Sequence, residues 1–198
     1  SENAAKWVAE VLAQGGITVW FIHRSVPTPL VMHTVKDKEL HYGIEITASH
    51  NPSEYNGIKL IVDQGRDAPL ETTEKLEKII EKLSDVKYLE FETAVSEGKI
   101  VYLNNPFNKF LDDIISLLDM DALRKRGLRV VFDSMHGSGT YPLLVIFHTA
   151  RCTIDTININ KDAYFGGLMP APSEKSLNLL RDTVVKGGYD LGIAMDGD

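Results

Sequence analysis

Apolar positions along this chain recur at two spacings, and the alternation between them predicts its elements. Ala4, Ala5, Val8, Val11 and Leu12 fall on one helical stripe that stops at Gly15-Gly16. Ile17 to Ile22 reads as a strand, and Pro27-Thr28-Pro29 opens a short helix toward Lys36. From Tyr42 to Thr47, Ile44 and Ile46 alternate with Glu45 and Thr47, and Ile58 to Val62 alternates in the same way, which predicts two half-buried strands. Leu70 to Leu83 is a charged amphipathic helix with Leu76, Ile79, Ile80 and Leu83 expected to face inward. Lys99 to Leu103 predicts a short strand, and Phe107 to Leu118 a second amphipathic helix that could bridge two domains. A fresh alternation follows: strand Leu128 to Phe132, helix near Tyr141 to Thr149, strand Cys152 to Ile159, helix Ser173 to Lys186, strand Tyr189 to Met195. Strands alternating with helices argue for the α/β class, here two consecutive mixed, largely parallel layered domains. The boundary falls in 104–109, so the predicted domains are 1–104 and 105–198.

Between the strands at 42–47 and 58–62 lies a polar loop, Ala48-Ser49-His50-Asn51-Pro52, followed by Tyr55-Asn56-Gly57. Asn-Pro and Asn-Gly both bend a chain. Sheet holds the loop at both ends, which suits a residue that must be exposed and still accurately positioned, and Ser49 sits at its tip. A loop serine that only satisfies backbone groups is the ordinary alternative. Serine needs activation to act as a nucleophile. His50 is adjacent, but neighbours on an extended chain point to opposite sides, so it is expected to be badly placed to take the Ser49 proton. There is also no Gly-x-Ser-x-Gly elbow, and a serine hydrolase is therefore disfavoured. Lys59 interrupts the apolar run Ile58-Leu60-Ile61-Val62 and is read either as a functional cation or as an edge-strand charge that blocks aggregation.

The final residues are Met195-Asp196-Gly197-Asp198, at the carboxyl end of a strand, where ligands of α/β sheets collect. Two aspartates around a glycine can turn both carboxylates toward one hard cation such as Mg²⁺, or can form an ordinary Asp-Gly turn.

The segment Thr47-Ala48-Ser49-His50-Asn51-Pro52 with Tyr55-Asn56-Gly57-Ile58-Lys59 resembles the serine segment of the α-D-phosphohexomutases, the phosphoglucomutase and phosphomannomutase superfamily. That segment reads Thr-x-Ser-His-Asn-Pro, then Tyr-Asn-Gly-x-Lys. Met195 to Asp198 resembles the start of the family's Asp-Gly-Asp-x-Asp-Arg loop, whose aspartates bind Mg²⁺ with a phosphoserine oxygen. Val130 to Gly139 resembles the second domain's opening strand and Gly-rich turn, and Phe165 to Pro172 its proline-bearing loop.

The resemblance implies reversible transfer of a phosphoryl group between the 1 and 6 hydroxyls of a hexose phosphate, through a bisphosphorylated sugar. Ser49 would carry the phosphoryl group, and a hexose 1,6-bisphosphate would serve as activator. Lys59 would offset charge or assist proton transfer. His50 and Asn51 would shape the loop and bond the phosphate. Asp196, Asp198 and the phosphorylated Ser49 would hold Mg²⁺. The third Asp and the Arg of the loop lie beyond Asp198, so weak Mg²⁺ binding is expected. Family members have four domains, so the third and fourth and the first strand of domain 1 would be missing, and the chain alone is expected to be inactive. The alternative is a non-catalytic phosphosugar-binding or scaffold protein that kept the fold; the serine, lysine and aspartates together argue against it.

Composition narrows the partners. Net charge is −7, from 21 basic and 28 acidic residues, with no basic tract, so nucleic acid is an unsuitable partner. The apolar run Tyr141 to Phe147 is too short to span a membrane. The single cysteine, Cys152, cannot form an intramolecular disulfide and reads as a small core residue. No signal peptide is visible, and a reducing cytoplasmic setting is expected. Self-association through apolar surface at truncated domain edges is a further expectation. The histidines at 23, 33, 41 and 148 show no metal-ligand spacing, and His136 reads as structural.

Overall fold

The computed structural model describes residues 2–198. The chain divides into two compact units: one runs to Thr47 and resumes from Gly57 to Pro106, and the other comprises Ala48–Asn56 and Phe107–Asp198.

The first unit opens with α1 (Glu2–Gln14), β1 (Val19–Phe21) and α2 (Thr28–Asp37). The antiparallel strands β2 (Tyr42–Ile46), β3 (Ile58–Val62) and β4 (Arg66–Asp67) follow. Then come α3 (Leu70–Ile80), α4 (Phe91–Ser96) and β5 (Ile100–Tyr102), which pairs in parallel with β1. The inward face of α1 is the small-residue line Ala5, Ala9 and Ala13; Val11 and Trp7 are exposed. Four-residue spacing keeps the alanines on one face, and their small side chains admit Phe21, Phe91, Ala94 and Ile100 into a shared cluster. Phe21 and Phe91 meet edge to face with centroids 5.2 Å apart.

In the β2–β3 ladder, Gly43 faces Ile61 and Glu45 faces Lys59. Side chains alternate faces, so Lys59 lies on the Ile61 face of the sheet, and Ile61 is fully buried. A Cβ on Gly43 would lie 2.6 Å from Val35 Cγ2 of α2, so this glycine lets the helix sit close on the strand. The other face carries Ile58, which is 64% exposed. The alternation is present, but the better-covered face is that of Gly43 and Ile61, not that of the isoleucines at 44, 46 and 58.

Helix α3 departs from expectation more sharply. Leu76, Ile79, Ile80 and Leu83 are 41%, 57%, 61% and 55% exposed, and no residue of the helix is buried. Periodicity identifies the apolar stripe of a helix; it does not supply a partner for it.

The second unit contains α5 (Pro106–Leu117) from Phe107 onward, α6 (Met120–Arg126), β6 (Arg129–Asp133), α7 (Thr140–Thr149), β7 (Thr153–Ile157), α8 (Asn178–Gly187) and β8 (Leu191–Ala194). Its sheet is all parallel in the order β7-β6-β8. Val130, Val131, Phe132 and Asp133 of the central β6 are all fully buried. Val130, Phe147, Ala150 and Cys152 form a cluster beside it, so the lone cysteine is a core residue as expected. Strand order reverses around β6, and in open α/β sheets that is where ligands bind, at the carboxyl ends of the strands. The segments leaving β6 and β8 at that end are 134–139 and 195–198.

Candidate functional site

Ser49 lies in a tight turn. The main-chain N–H of Asn51 donates to the Ala48 carbonyl (3.0 Å), and so does the Asn51 side-chain amide (2.8 Å). Asn51 therefore closes the turn twice. Ser49 is at φ +53°, in the left-handed region that costs a β-carbon-bearing residue energy and clusters at functional positions. The loop is closed at its base by the Thr47 N–H donating to the Gly57 carbonyl (3.1 Å).

This turn corrects the expected placement of His50. The chain is not extended at Ser49, and the alternation rule does not apply there. Ser49 Oγ and His50 Nδ1 are 3.2 Å apart, within hydrogen-bond reach. The pair could pass a proton or hold a common anion. It does not amount to a hydrolase triad: His50 is exposed, and no carboxylate is recorded against its other ring nitrogen among the described residues. Lys59 is half-buried on β3 of the first unit, opposite Glu45.

Asp196, Gly197 and Asp198 follow β8 and are half-buried. The Gly197 N–H donates to the Pro170 carbonyl (3.2 Å). A Cβ placed on Gly197 would lie 3.3 Å from Pro170 Cβ, 3.6 Å from the Ser49 carbonyl oxygen and 3.8 Å from the Phe165 ring. The structure thus brings the serine turn and the aspartate turn side by side within the second unit. Two hard carboxylates flanking a glycine suit a small hard cation as part of a ligand set. No group of three or more His, Cys, Asp or Glu is gathered for a metal among the described residues, so further ligands would have to be oxygens of another kind.

The turn after β6 is densely hydrogen-bonded, and His136 takes part in it as the structural residue that the sequence suggests. Asp133, fully buried, accepts from the Met135 N–H (2.9 Å), and its two oxygens accept from the Asn158 side-chain amide (3.0 and 3.1 Å). His136 Nδ1 lies 2.8 Å from the Asn160 carbonyl, which makes Nδ1 the donor. Met135 and His136 are both left-handed, at φ +48° and +63°. Sequence reading did not identify Gly137, the next residue, as part of the site. A Cβ on it would lie 2.7 Å from Gly197 Cα and 2.9 Å from the Asp196 carbonyl oxygen. Nothing in the local sequence around Gly137 signals that contact.

The chain matches the family models for α/β/α domain I (residues 1–87) and domain II (residues 108–198) of phosphoglucomutase/phosphomannomutase. The chain belongs to the phosphoglucomutase/phosphomannomutase family. The phosphoglucosamine mutase of Methanococcus vannielii is 38% identical over 194 residues, covering 94% of this chain and 40% of that protein. The phosphoglucosamine/phosphogalactosamine mutase of Sulfurisphaera tokodaii is 30% identical over 175 residues, covering 87% of this chain and 37% of that protein. Among solved structures, a Thermus thermophilus protein whose assignment as a phosphomannomutase is itself provisional aligns with a TM-score of 0.82 at 25% identity, over 97% of this chain and 42% of that one. The mixed α/β fold in two consecutive family domains is therefore established. The chain spans 37% to 40% of the length of these curated relatives. Among the described residues, no helix is long and apolar enough to cross a membrane.

Proposed function

We propose that this chain supplies the phosphoryl-carrying serine and part of the cation site of a hexose phosphate mutase. The supporting observation is the left-handed Ser49 turn, whose carbonyl lies against Gly197 between Asp196 and Asp198. In the first half-reaction the free hydroxyl of a hexose 1-phosphate attacks the phosphorus of phosphorylated Ser49. The new bond is P–O(sugar), the bond broken is P–Oγ, and the proton lost by the sugar hydroxyl is matched by one gained at Ser49 Oγ. The product is a hexose 1,6-bisphosphate. After it turns over in the site, its 1-phosphoryl group returns to Ser49 and the hexose 6-phosphate leaves.

His50 Nδ1, 3.2 Å from Oγ, is suited to stabilise that proton or to bond the phosphate. Asn51 keeps the turn closed. Lys59 is assigned as an offset to phosphate charge, from its place in the Tyr-Asn-Gly-x-Lys motif. Asp196 and Asp198, with an oxygen of phosphorylated Ser49, would hold Mg²⁺. That ion would offset charge on the transferring group. The substrate to test first is a hexosamine phosphate, the class named for the two relatives described above.

A coupled assay of hexose 1-phosphate to 6-phosphate conversion, primed with the bisphosphate, tests this in the full-length protein. Ser49→Ala is expected to reduce turnover to background. Residues 1–198 alone are expected to show no turnover, because they span only about two-fifths of the relatives' length. Full activity of Ser49→Ala would overturn the proposal.

A further inference from the structure

We infer that Gly137 is a positioning residue: its lack of a side chain seats the main chain of Asp196 and Gly197, and so aims the carboxylates of Asp196 and Asp198. The inference rests on the reading of those aspartates as cation ligands.

The contact is between backbones. A Cβ on Gly137 would lie 2.7 Å from Gly197 Cα, 2.8 Å from the Gly197 carbonyl oxygen and 2.9 Å from the Asp196 carbonyl oxygen. A Cβ does not come this close to unbonded heavy atoms, so one side has to move. Gly137 is not among the positive-φ residues, so its own backbone accepts alanine without strain. Collision is the only objection to a side chain there.

Which side moves follows from the hydrogen bonds. The β6 turn is pinned at several points. The Gly137 N–H donates to the Ser134 carbonyl (2.8 Å), and the His136 N–H to the Asn158 carbonyl (2.8 Å). Ser134 Oγ donates to that same carbonyl (2.8 Å), and Asp133 fixes Met135 and Asn158 from below. The aspartate turn is tied to the Pro170 carbonyl through the Gly197 N–H (3.2 Å). It is also confined by Pro170 and Phe165. With the β6 turn pinned at these points, a side chain at Gly137 is expected to press on the main chain of the aspartate turn.

Gly139 is the matched control. A Cβ there would lie 2.8 Å from Met195 Sδ and 3.0 Å from its Cε, the far end of a flexible side chain that can swing away. The same chemical change two residues along should leave the aspartate turn in place.

The test is made in the full-length protein, with Mn²⁺ as a paramagnetic stand-in for Mg²⁺ and with Asp196→Asn, Gly137→Ala and Gly139→Ala compared. Gly137→Ala is expected to weaken Mn²⁺ binding by roughly 10- to 100-fold, the usual cost of losing the support of a metal ligand. It should lower kcat by on the order of 100-fold, as a misplacement of about 1 Å can. KM for the hexose phosphate should stay within about twofold, since uniform substrate binding is untouched. Gly139→Ala is expected to match the parent in all three. In the unsubstituted protein, bound Mn²⁺ should broaden the Gly137 amide resonance. If Asp196→Asn leaves Mn²⁺ binding unchanged, the reading of the aspartates fails and the inference falls with it. If Asp196→Asn loses the metal while Gly137→Ala keeps it, the seating role alone is wrong. Failure of Gly137→Ala to fold, or absence of broadening at Gly137, would also overturn the positioning role.

Discussion

The carboxylate of Asp162 accepts hydrogen bonds from the N–H groups of Tyr164 (2.9 Å) and Gly166 (3.0 Å). It thereby holds a loop in which Phe165, at φ +52°, and then Gly166 and Gly167, at φ +66° and +77°, are all left-handed. The Tyr164 bond first, then the Gly166 bond, keep this carboxyl below the ordinary aspartate range. A carboxyl with a lowered folded-state pKa stabilises the fold fully above its unfolded value of about 3.9, and that contribution is lost as pH falls through the folded value. Protection of the Tyr164 and Gly166 amides from hydrogen exchange should be constant from neutral pH down to about 4 and fall below that. Asp162→Ala should show the low-protection state at every pH; equal protection in the two proteins would remove Asp162 from this role. At the same scale, the serine site was partly legible. Ser49, Asp196 and Asp198 stand out in the sequence as motif residues, and the structure places their turns side by side. The Ser49–His50 contact was not visible, because it depends on one positive φ angle. Gly137 was invisible for a related reason: a glycine shows its purpose only through what lies opposite it.

Among elements, period identified most helices and strands, and burial followed only where the fold supplied a second surface. Strand β6 carries the apolar run Val130 to Phe132 and is fully buried from Val130 to Asp133, as a central parallel strand should be. Helices α4 and α6, of 6 and 7 residues, are too short for periodicity to separate from loop. Capping explains them better: Glu90 accepts from the Thr93 N–H (2.8 Å) and Asp119 from the Ala122 N–H (2.9 Å). Helix α3 shows the limit of a periodicity-based reading, since its apolar stripe is outward. Ile79→Ser, on that stripe, is expected to change stability by no more than about 0.5 kcal/mol. Ile100→Ala, in the cluster of Phe21 and Phe91, should cost about 2–5 kcal/mol. Chemical denaturation of the two variants measures both. A cost for Ile79→Ser as large as that for Ile100→Ala would mean that α3 is packed after all.

For the whole molecule, the division into two units matters because Ala48–Asn56 groups with the second unit while its flanking strands belong to the first. The serine and the two aspartates are thereby served by one compact body, although well over a hundred residues separate them in sequence. With a net charge of −7 over these residues, the phosphosugar binding proposed above calls for positive potential that is local. Every role proposed for the site depends on Ser49 as the carrier of the phosphoryl group. The direct measurement is peptide mass spectrometry of the full-length protein after incubation with a hexose 1,6-bisphosphate. One phosphoryl group on the peptide containing Ser49, absent from Ser49→Ala, is the predicted result. A phosphoryl group on a different residue, with Ser49→Ala still turning over substrate, would contradict it.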